Sequence, residues 1–289
     1  MELEIGGPDD TVIISEIMYN PASGDPSEEY IELHNLGSGP VPLKGWSFSS
    51  GVNFKFPEVS ILPGEYYVIA ANPEKFVSTY GVLDNLIGPW EGQLSNRGER
   101  LRIKDALGDE VDDVTYSDQG DWAIRMSEDD PSVLRDENGW KWSTPADGRG
   151  ASLQLANINV SNKYGQNWFT GNSPTPGSKN NTSLTLNAPL ILNVRHSPPV
   201  PRSGQEVVVS TKLRGVEDFN LEANLYWRVS TLDPGDFIES TMQDQGINGD
   251  LKSGDGIFSA LVPAQDLSLI HISEPTRRYA ISYAVFCLK

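Results

Sequence analysis

Apolar residues recur along this chain in short runs, and clusters of Gly, Pro, Asn and Asp separate them. The strongest pattern lies at residues 12–35, VIISEIMYNPASGDPSEEYIELHN. Two strand-like halves, 12–19 and 29–35, flank a turn-rich segment holding Pro21, Gly24, Asp25 and Pro26. Each half carries one carboxylate inside its apolar run, Glu16 in the first and Glu32 in the second. A strand alternates its faces with a period of two. Apolar runs broken by single carboxylates therefore predict strands with one special face.

Further strand-like runs follow at 41–47, where Gly45 marks a turn or bulge, at 53–56 and at 65–71. Residues 73–80 predict the one short helix. Residues 100–104 and 110–116 read as a hairpin turning at 105–108. The stretch 118–148 is less regular and reads as a long loop or insertion carrying Trp122, Trp140 and Trp142. Residues 151–155 return to strand, Asn167 and Trp168 follow, and 173–181 (SPTPGSKNN) forms a Pro/Gly/Asn-rich exit. A second series begins near residue 188, with strands at 189–195, 205–213, 223–229 and 257–261. Strands at this spacing without helical crossovers predict two β-sandwiches in tandem. The expected layout is a linker at 1–10, a first domain at 11–179, a linker at 180–188 and a second, incomplete domain at 189–266.

The last 23 positions stand apart. Residues 267–277 (LSLIHISEPTR) and 281–288 (ISYAVFCL) resemble the in-frame translation of a transposase-type sequencing adapter, with a three-residue gap that fits an index. Residues 267–289 are accordingly set aside as foreign. The only cysteine, Cys287, goes with them, so disulfides, thiolate zinc and a Cys nucleophile are excluded from the rest. The whole chain carries −18, and the tail holds one acid against three bases, so residues 1–266 carry −20. Such a surface repels phosphate backbones and anionic lipid and suits solubility and divalent cations. No apolar run is long enough to span a membrane. The acidic start MELEIGGPDD has no apolar core of a signal peptide, which fits either a cytoplasmic protein or a piece of a longer chain.

Several motifs then line up in order. They are Ile14-Ser-Glu-Ile-Met-Tyr-Asn-Pro21, Glu29-Tyr-Ile-Glu-Leu-His-Asn35, Leu43-x-Gly-Trp-Ser-Phe48 and Leu62-Pro-Gly64. Leu94-Ser-Asn-x-Gly-Glu99, Val111-Asp-x-Val-x-Tyr116, Asp147-Gly-x-Gly-x-Ser-Leu153, Asn167-Trp168 and Thr175-Pro-Gly177 complete the series. Together, from about residue 12 to 179, they resemble the lamin-tail domain. The resemblance implies an immunoglobulin-like sandwich without catalysis. It is similar to the bacterial branch found in large secreted or surface-attached proteins, some of which carry a CotH-like kinase domain. No such kinase motif occurs in this sequence. The second unit is similar to immunoglobulin- or fibronectin-type modules, through Val194-Arg-His-Ser-Pro198 and Gly254-Asp-Gly-Ile-Phe258. The fold class expected is all-β: two tandem immunoglobulin-like sandwiches, the second truncated.

Glu16 and Glu32 fit an acid–base or metal-binding pair, or buried hydrogen-bond anchors that pin the turn between their strands. The resemblance and the lack of a partner nucleophile favour anchors. The loop at 244–256 gathers Asp244, Asn248, Asp250 and Asp255, hard oxygen ligands suited to calcium, though not at EF-hand spacing. Asp-Gly and Asn-Gly pairs are also common turn formers. Trp122, Trp140 and Trp142 fit a stacking platform for sugars or peptides, or a pin that holds the loop to the sandwich. Arg97, Arg100 and Arg102 fit pairing with local acids. His34 and His196 are too few for a histidine metal site. No P-loop, GxSxG or Rossmann fingerprint appears. The expectation is a non-catalytic interaction or adhesion segment of a larger extracellular or cell-surface bacterial protein. It has no cofactor beyond possible calcium, a protein or carbohydrate ligand, and no nucleic-acid partner. The alternatives are a spacer presenting a kinase or hydrolase domain that lies elsewhere, and a calcium-dependent binding module.

Overall fold

The computed structural model describes residues 11–127, 140–171, 173–181, 190–214, 222–229, 237–265 and 281–288. They fall into two compact units, the first ending at 181 and the second starting at 190.

The first unit begins with β1 (Val12–Met18), β2 (Tyr30–Asn35), β3 (Val41–Pro42), β4 (Ser47–Ser50), β5 (Phe54–Lys55), β6 (Ser60–Ile61) and β7 (Tyr66–Ala70). The helix α1 (Pro73–Tyr80) and β8 (Leu86–Ile87) follow. Then come β9 (Gly98–Lys104), β10 (Glu110–Ser117), β11 (Ile124–Ser127), β12 (Trp140–Ser143), β13 (Leu153–Leu155) and β14 (Trp168–Thr170). One sheet runs β14-β13-β1-β2-β7-β8 and the other β10-β9-β4-β5. Ile17, Ile31, Leu33 and Ile69 from the first sheet share a core with Phe48, Leu101, Ile103, Val114 and Tyr116 from the second. This is the β-sandwich that the strand spacing predicts.

The outer face of the first sheet is buried too. Met18, Tyr30, Val68 and Ala70 pack under Phe76 of α1. Asn72 caps that helix by accepting from the Lys75 N–H at 3.0 Å, and Pro73 opens it. Burial on both faces explains why β1 and β2 read as near-continuous apolar runs rather than as alternating ones. It also means that each polar group on these strands needs a partner inside the protein.

β1 meets that demand first at a bulge. Its register with β2 shifts between Ile14, opposite Leu33, and Glu16, opposite Glu32, which leaves Ser15 as the extra residue, and the neighbouring Ile14 backbone groups are met from outside the sheet. Asp112 of β10 accepts the Ile14 N–H at 2.6 Å, and the Asn162 amide donates to both the Ile14 carbonyl (3.3 Å) and Asp112 (2.8 Å). A carboxylate from the opposite sheet thus caps a break in β1.

Three readings from the sequence change. Residues 41–47 divide into the two-residue β3 and a tight turn closed by Trp46 N–H to the Leu43 carbonyl, because Pro42 removes a ladder donor and Gly45 takes φ +84°. The irregular 118–148 stretch contains a ribbon, β11 against β12 with Ile124 opposite Ser143. Residues 128–139 between its strands lie outside the described residues, and the strands are too short for a period-two signal to stand out.

The second unit holds β15 (Leu190–Ser197), β16 (Val207–Arg214), β17 (Glu222–Val229), β18 (Ile238–Met242), β19 (Ile257–Val262) and β20 (Ile281–Leu288). Its sheets run β15-β16-β19 and β18-β17-β20. Val207, Val209, Leu213 and Val262 of one sheet close a core with Ala223, Leu225, Trp227 and Met242 of the other. β18 escapes the sequence reading because IESTM is mostly polar and exposed. The third change concerns β17 of the second domain, a domain expected to be incomplete. The strand is paired along its length by β20, which lies in the segment set aside as foreign. Pairing with a free edge requires only an extended chain of suitable propensity, and Ile281, Tyr283 and Val285 supply it.

Removing the bulge cap tests the role of Asp112. Asp112→Ala leaves the Ile14 N–H buried without an acceptor. It should lower stability by about 1–3 kcal/mol, read as a fall in the urea midpoint with unchanged slope.

Candidate functional site

The two carboxylates singled out from the sequence face each other. Glu16 and Glu32 are directly opposed in the β1–β2 register, and neither is exposed to solvent. Both lie on the outer face of the sheet beside Tyr30. Their hydrogen bonds do not reach the turn between the strands. Glu16 Oε1 accepts from the Tyr30 hydroxyl (2.6 Å), the Ser152 hydroxyl (2.5 Å) and the Thr175 N–H (2.9 Å), and its Oε2 accepts from the Thr175 hydroxyl (2.8 Å). Glu32 accepts from the Ser15 hydroxyl (2.7 Å) and the Gly177 N–H (2.7 Å). The exit segment at 173–181 is therefore laid across the sheet and held there. Asn180 and Gln154 add to the seam, Asn180 donating to the Ser15 and Leu155 carbonyls (both 3.0 Å) and Gln154 to the Ser173 carbonyl (2.9 Å).

Gly177 is fitted to this seam. Its φ is +77°, and a Cβ there would sit 2.9 Å from the Leu83 side chain. The sequence shows Thr175-Pro-Gly177 as a motif, but only the fold shows that its amide meets a glutamate 145 positions earlier.

Burial raises the pKa of both glutamates, and the negative charge of Glu16 raises that of Glu32 further, well above the ordinary carboxylate range. The pair therefore resists carrying two charges, and Glu16, with four donors, is the better stabilised as the anion. This follows the rule that two carboxylates sharing a dry site cannot both ionise. Tyr30 is pushed up as well, by burial and by the adjacent Glu16 charge, so it stays a donor.

The turn between β1 and β2 is held by other acids. Glu29, 2 % exposed, accepts the Leu94 N–H at 2.8 Å, and burial together with the Glu99 charge raises its pKa to about 7. Lys75 of α1 reaches Asp25 (3.3 Å) and Glu28 (3.1 Å). His34 stacks on Tyr66 with ring centroids 4.1 Å apart, and burial lowers its pKa, which keeps it neutral. Arg100 pairs with Asp113 and, at 3.5 Å, with Glu110, which Arg102 also approaches at 3.5 Å.

The three tryptophans separate. Trp122 packs on Trp168 at 5.5 Å and joins the edge of the core. Trp142 on β12 is 40 % exposed and lines a cleft of about 310 Å³ with Asp118, Gln119, Thr144, Asp147 and Arg149. Trp140 is placed on β12 by its backbone, and its side chain lies outside the described residues.

In the second unit, Asp244, Asp250 and Asp255 bring carboxylate oxygens within 4.8 Å of one another. The Asn248 side-chain NH₂ donates to Gln243 Oε1 at 3.3 Å. Backbone amides already occupy the group. Asp244 accepts from Gly254, Asp255 and Gly256 (2.7–3.2 Å), and Asp250 accepts from Gly246 (2.6 Å) and Lys252 (3.1 Å).

The glutamates should respond unequally to amidation. Glu16→Gln puts an amide NH₂ against a cluster of donors and should cost about 2–3 kcal/mol in chemical denaturation, whereas Glu32→Gln replaces the group shifted further towards the neutral form and should cost under about 1 kcal/mol. A raised folded pKa stabilises below the unfolded value, and that contribution is lost as pH rises through the folded one. Glu29 therefore makes the protein less stable as pH rises from about 4.5 to about 7. Glu29→Gln should flatten the pH dependence of the melting midpoint across that window, and an unchanged slope would refute the assignment.

No curated protein matches this chain. Residues 7–118, which reach the end of β10 and include Glu16, Glu29, Glu32 and Asp112, match the family model of the Lamin Tail Domain, an immunoglobulin-like fold, and the first unit is similar to that family over this span.

Proposed function

We propose that the chain is a non-catalytic interaction and adhesion segment of a larger extracellular or cell-surface bacterial protein. One observation carries this reading. The groups that most resemble catalytic machinery, Glu16 and Glu32, turn their oxygens to donors of their own fold and are closed off from solvent. A carboxylate acting on a substrate needs reach to that substrate. These two instead act as anchors that hold the exit segment to the sheet. The lamin-tail similarity supports the same conclusion, since that immunoglobulin-like fold is a non-enzymatic domain type. No helix among the described residues is long and apolar enough to cross a membrane, and the charge of −20 over residues 1–266 suits work in solvent. Residues 267–289 are read as adapter-derived, which sequencing across codon 266 from the source template checks.

The fluorescently labelled chain should be retained saturably by intact bacterial cells and displaced by excess unlabelled chain. Retention no greater than that of an unrelated protein of equal charge would remove the adhesion reading and leave that of a spacer. A calcium-dependent module is the second reading, favoured by the convergence of Asp244, Asp250 and Asp255. It expects millimolar Ca²⁺ to raise the melting midpoint, and expects Asp250→Ala to abolish that rise. An unmoved midpoint excludes it.

A further inference from the structure

We propose that the cleft of Asp118, Gln119, Trp142, Asp147 and Arg149 binds a neutral pyranose unit of a polysaccharide. The inference deepens the interaction reading and rests on it.

The cleft is built on fixed backbone. The turn after β12 is closed by Asp147 N–H to the Thr144 carbonyl (3.1 Å) and by Ala146 N–H to the Thr144 hydroxyl (3.3 Å). Asn20 then ties the turn to the end of β1. Its amide donates to Asp147 Oδ1 at 2.6 Å, and its carbonyl accepts the Gly148 N–H at 3.0 Å. Gly148 at φ +71° and Gly150 at φ +87° allow the chain to reverse so that Asp147 and Arg149 both line the cleft. Burial first, and the charges of Asp147 and Asp118 after it, raise the pKa of the Tyr19 hydroxyl and keep it protonated.

The lining is unsatisfied in a particular way. Among the described residues, the Asp118 carboxylate and the Arg149 guanidinium have no hydrogen-bond or ion-pair partner, and Asp147 Oδ2 has none. Trp142 offers a half-open indole on the same cleft. A cation would meet Arg149, and an anion would meet two carboxylates. An apolar ligand would find a single aromatic among charges. A pyranose matches all of these groups. Its hydroxyls donate to Asp118 and Asp147 and accept from Arg149 and the Gln119 amide. Its C–H face stacks on the indole of Trp142. The volume of about 310 Å³ lies at the small end of ligand sites, which run from about 300 to 1,000 Å³.

Affinity electrophoresis of the full chain tests the assignment. Native gels would contain a soluble β-1,3-glucan, mannan or xylan, with alginate as the acidic control. At least one neutral polysaccharide should retard the chain, and alginate should not. Trp142→Ala and Arg149→Ala should each weaken the retardation at least about tenfold, with melting midpoints checked in parallel. Arg149 is exposed, so its variant remains decisive if Trp142→Ala melts early. Retardation by none of the neutral polysaccharides, or equal retardation by alginate, overturns the saccharide class. Equal retardation of Arg149→Ala and the unmodified chain overturns the cleft. Cell retention that persists in either case leaves the interaction reading standing and removes only this assignment.

Discussion

The first unit depends on the burial of β1 on both faces. An edge or half-exposed strand can leave a polar group to water, but β1 has no such outlet. Every departure from a plain ladder must be answered by a donor or acceptor from elsewhere in the chain. The bulge after Ile14 is answered by Asp112 and Asn162, and the carboxylate of Glu16 by Tyr30, Ser152 and Thr175. These partners come from β2, β10 and three later segments, so one strand links most of the unit. The exit segment has little apolar surface of its own, and its place on the sheet rests on hydrogen bonds to buried carboxylates, among the stronger kind available to a neutral amide.

The same burial sets the charge state of the interior. A chain with so acidic a surface also places carboxyl groups in its core, and it remains stable because they do not all ionise. Glu32 opposite Glu16, and Glu29 near Glu99, are each raised by desolvation and by a neighbouring negative charge. A shift towards the protonated form, rather than a cationic partner, eases their burial. The lysines and arginines with ion-pair partners serve acids at or near the surface, as Lys75 does for Asp25 and Arg100 for Asp113. Buried carboxyls shifted towards the neutral form and screened surface pairs avoid the desolvation cost of a buried ion pair.

The ribbon β11–β12 and the turn after it stand outside this economy. Trp122, on the turn before β11, closes onto the core, while Trp142 on β12 faces a polar cleft. Among the described residues, the Asp118 carboxylate and the Arg149 guanidinium at this cleft stay open to solvent.

The sequence by itself determined the all-β class, the positions of most strands, the one helix and the ordered motifs of the first unit. Each of these is written in local periodicity, turn residues and caps, which act over a few positions. It also singled out Glu16 and Glu32, because a carboxylate in an apolar run is visible locally. Tertiary structure alone decided what they bond to, since Thr175 and Gly177 lie about 150 residues away along the chain. The same holds for Asp112. In the motif Val111-Asp-x-Val-x-Tyr116 nothing local says what it meets, and it reaches the Ile14 N–H only when the second sheet folds over the first. Trp122 and Trp142 look alike in sequence, and only the fold sends the first, on a turn before the ribbon, to the edge of the core and the second, on β12, to the cleft. Local patterns fix elements, whereas the pairing of distant polar groups is fixed only once packing has excluded water from between them.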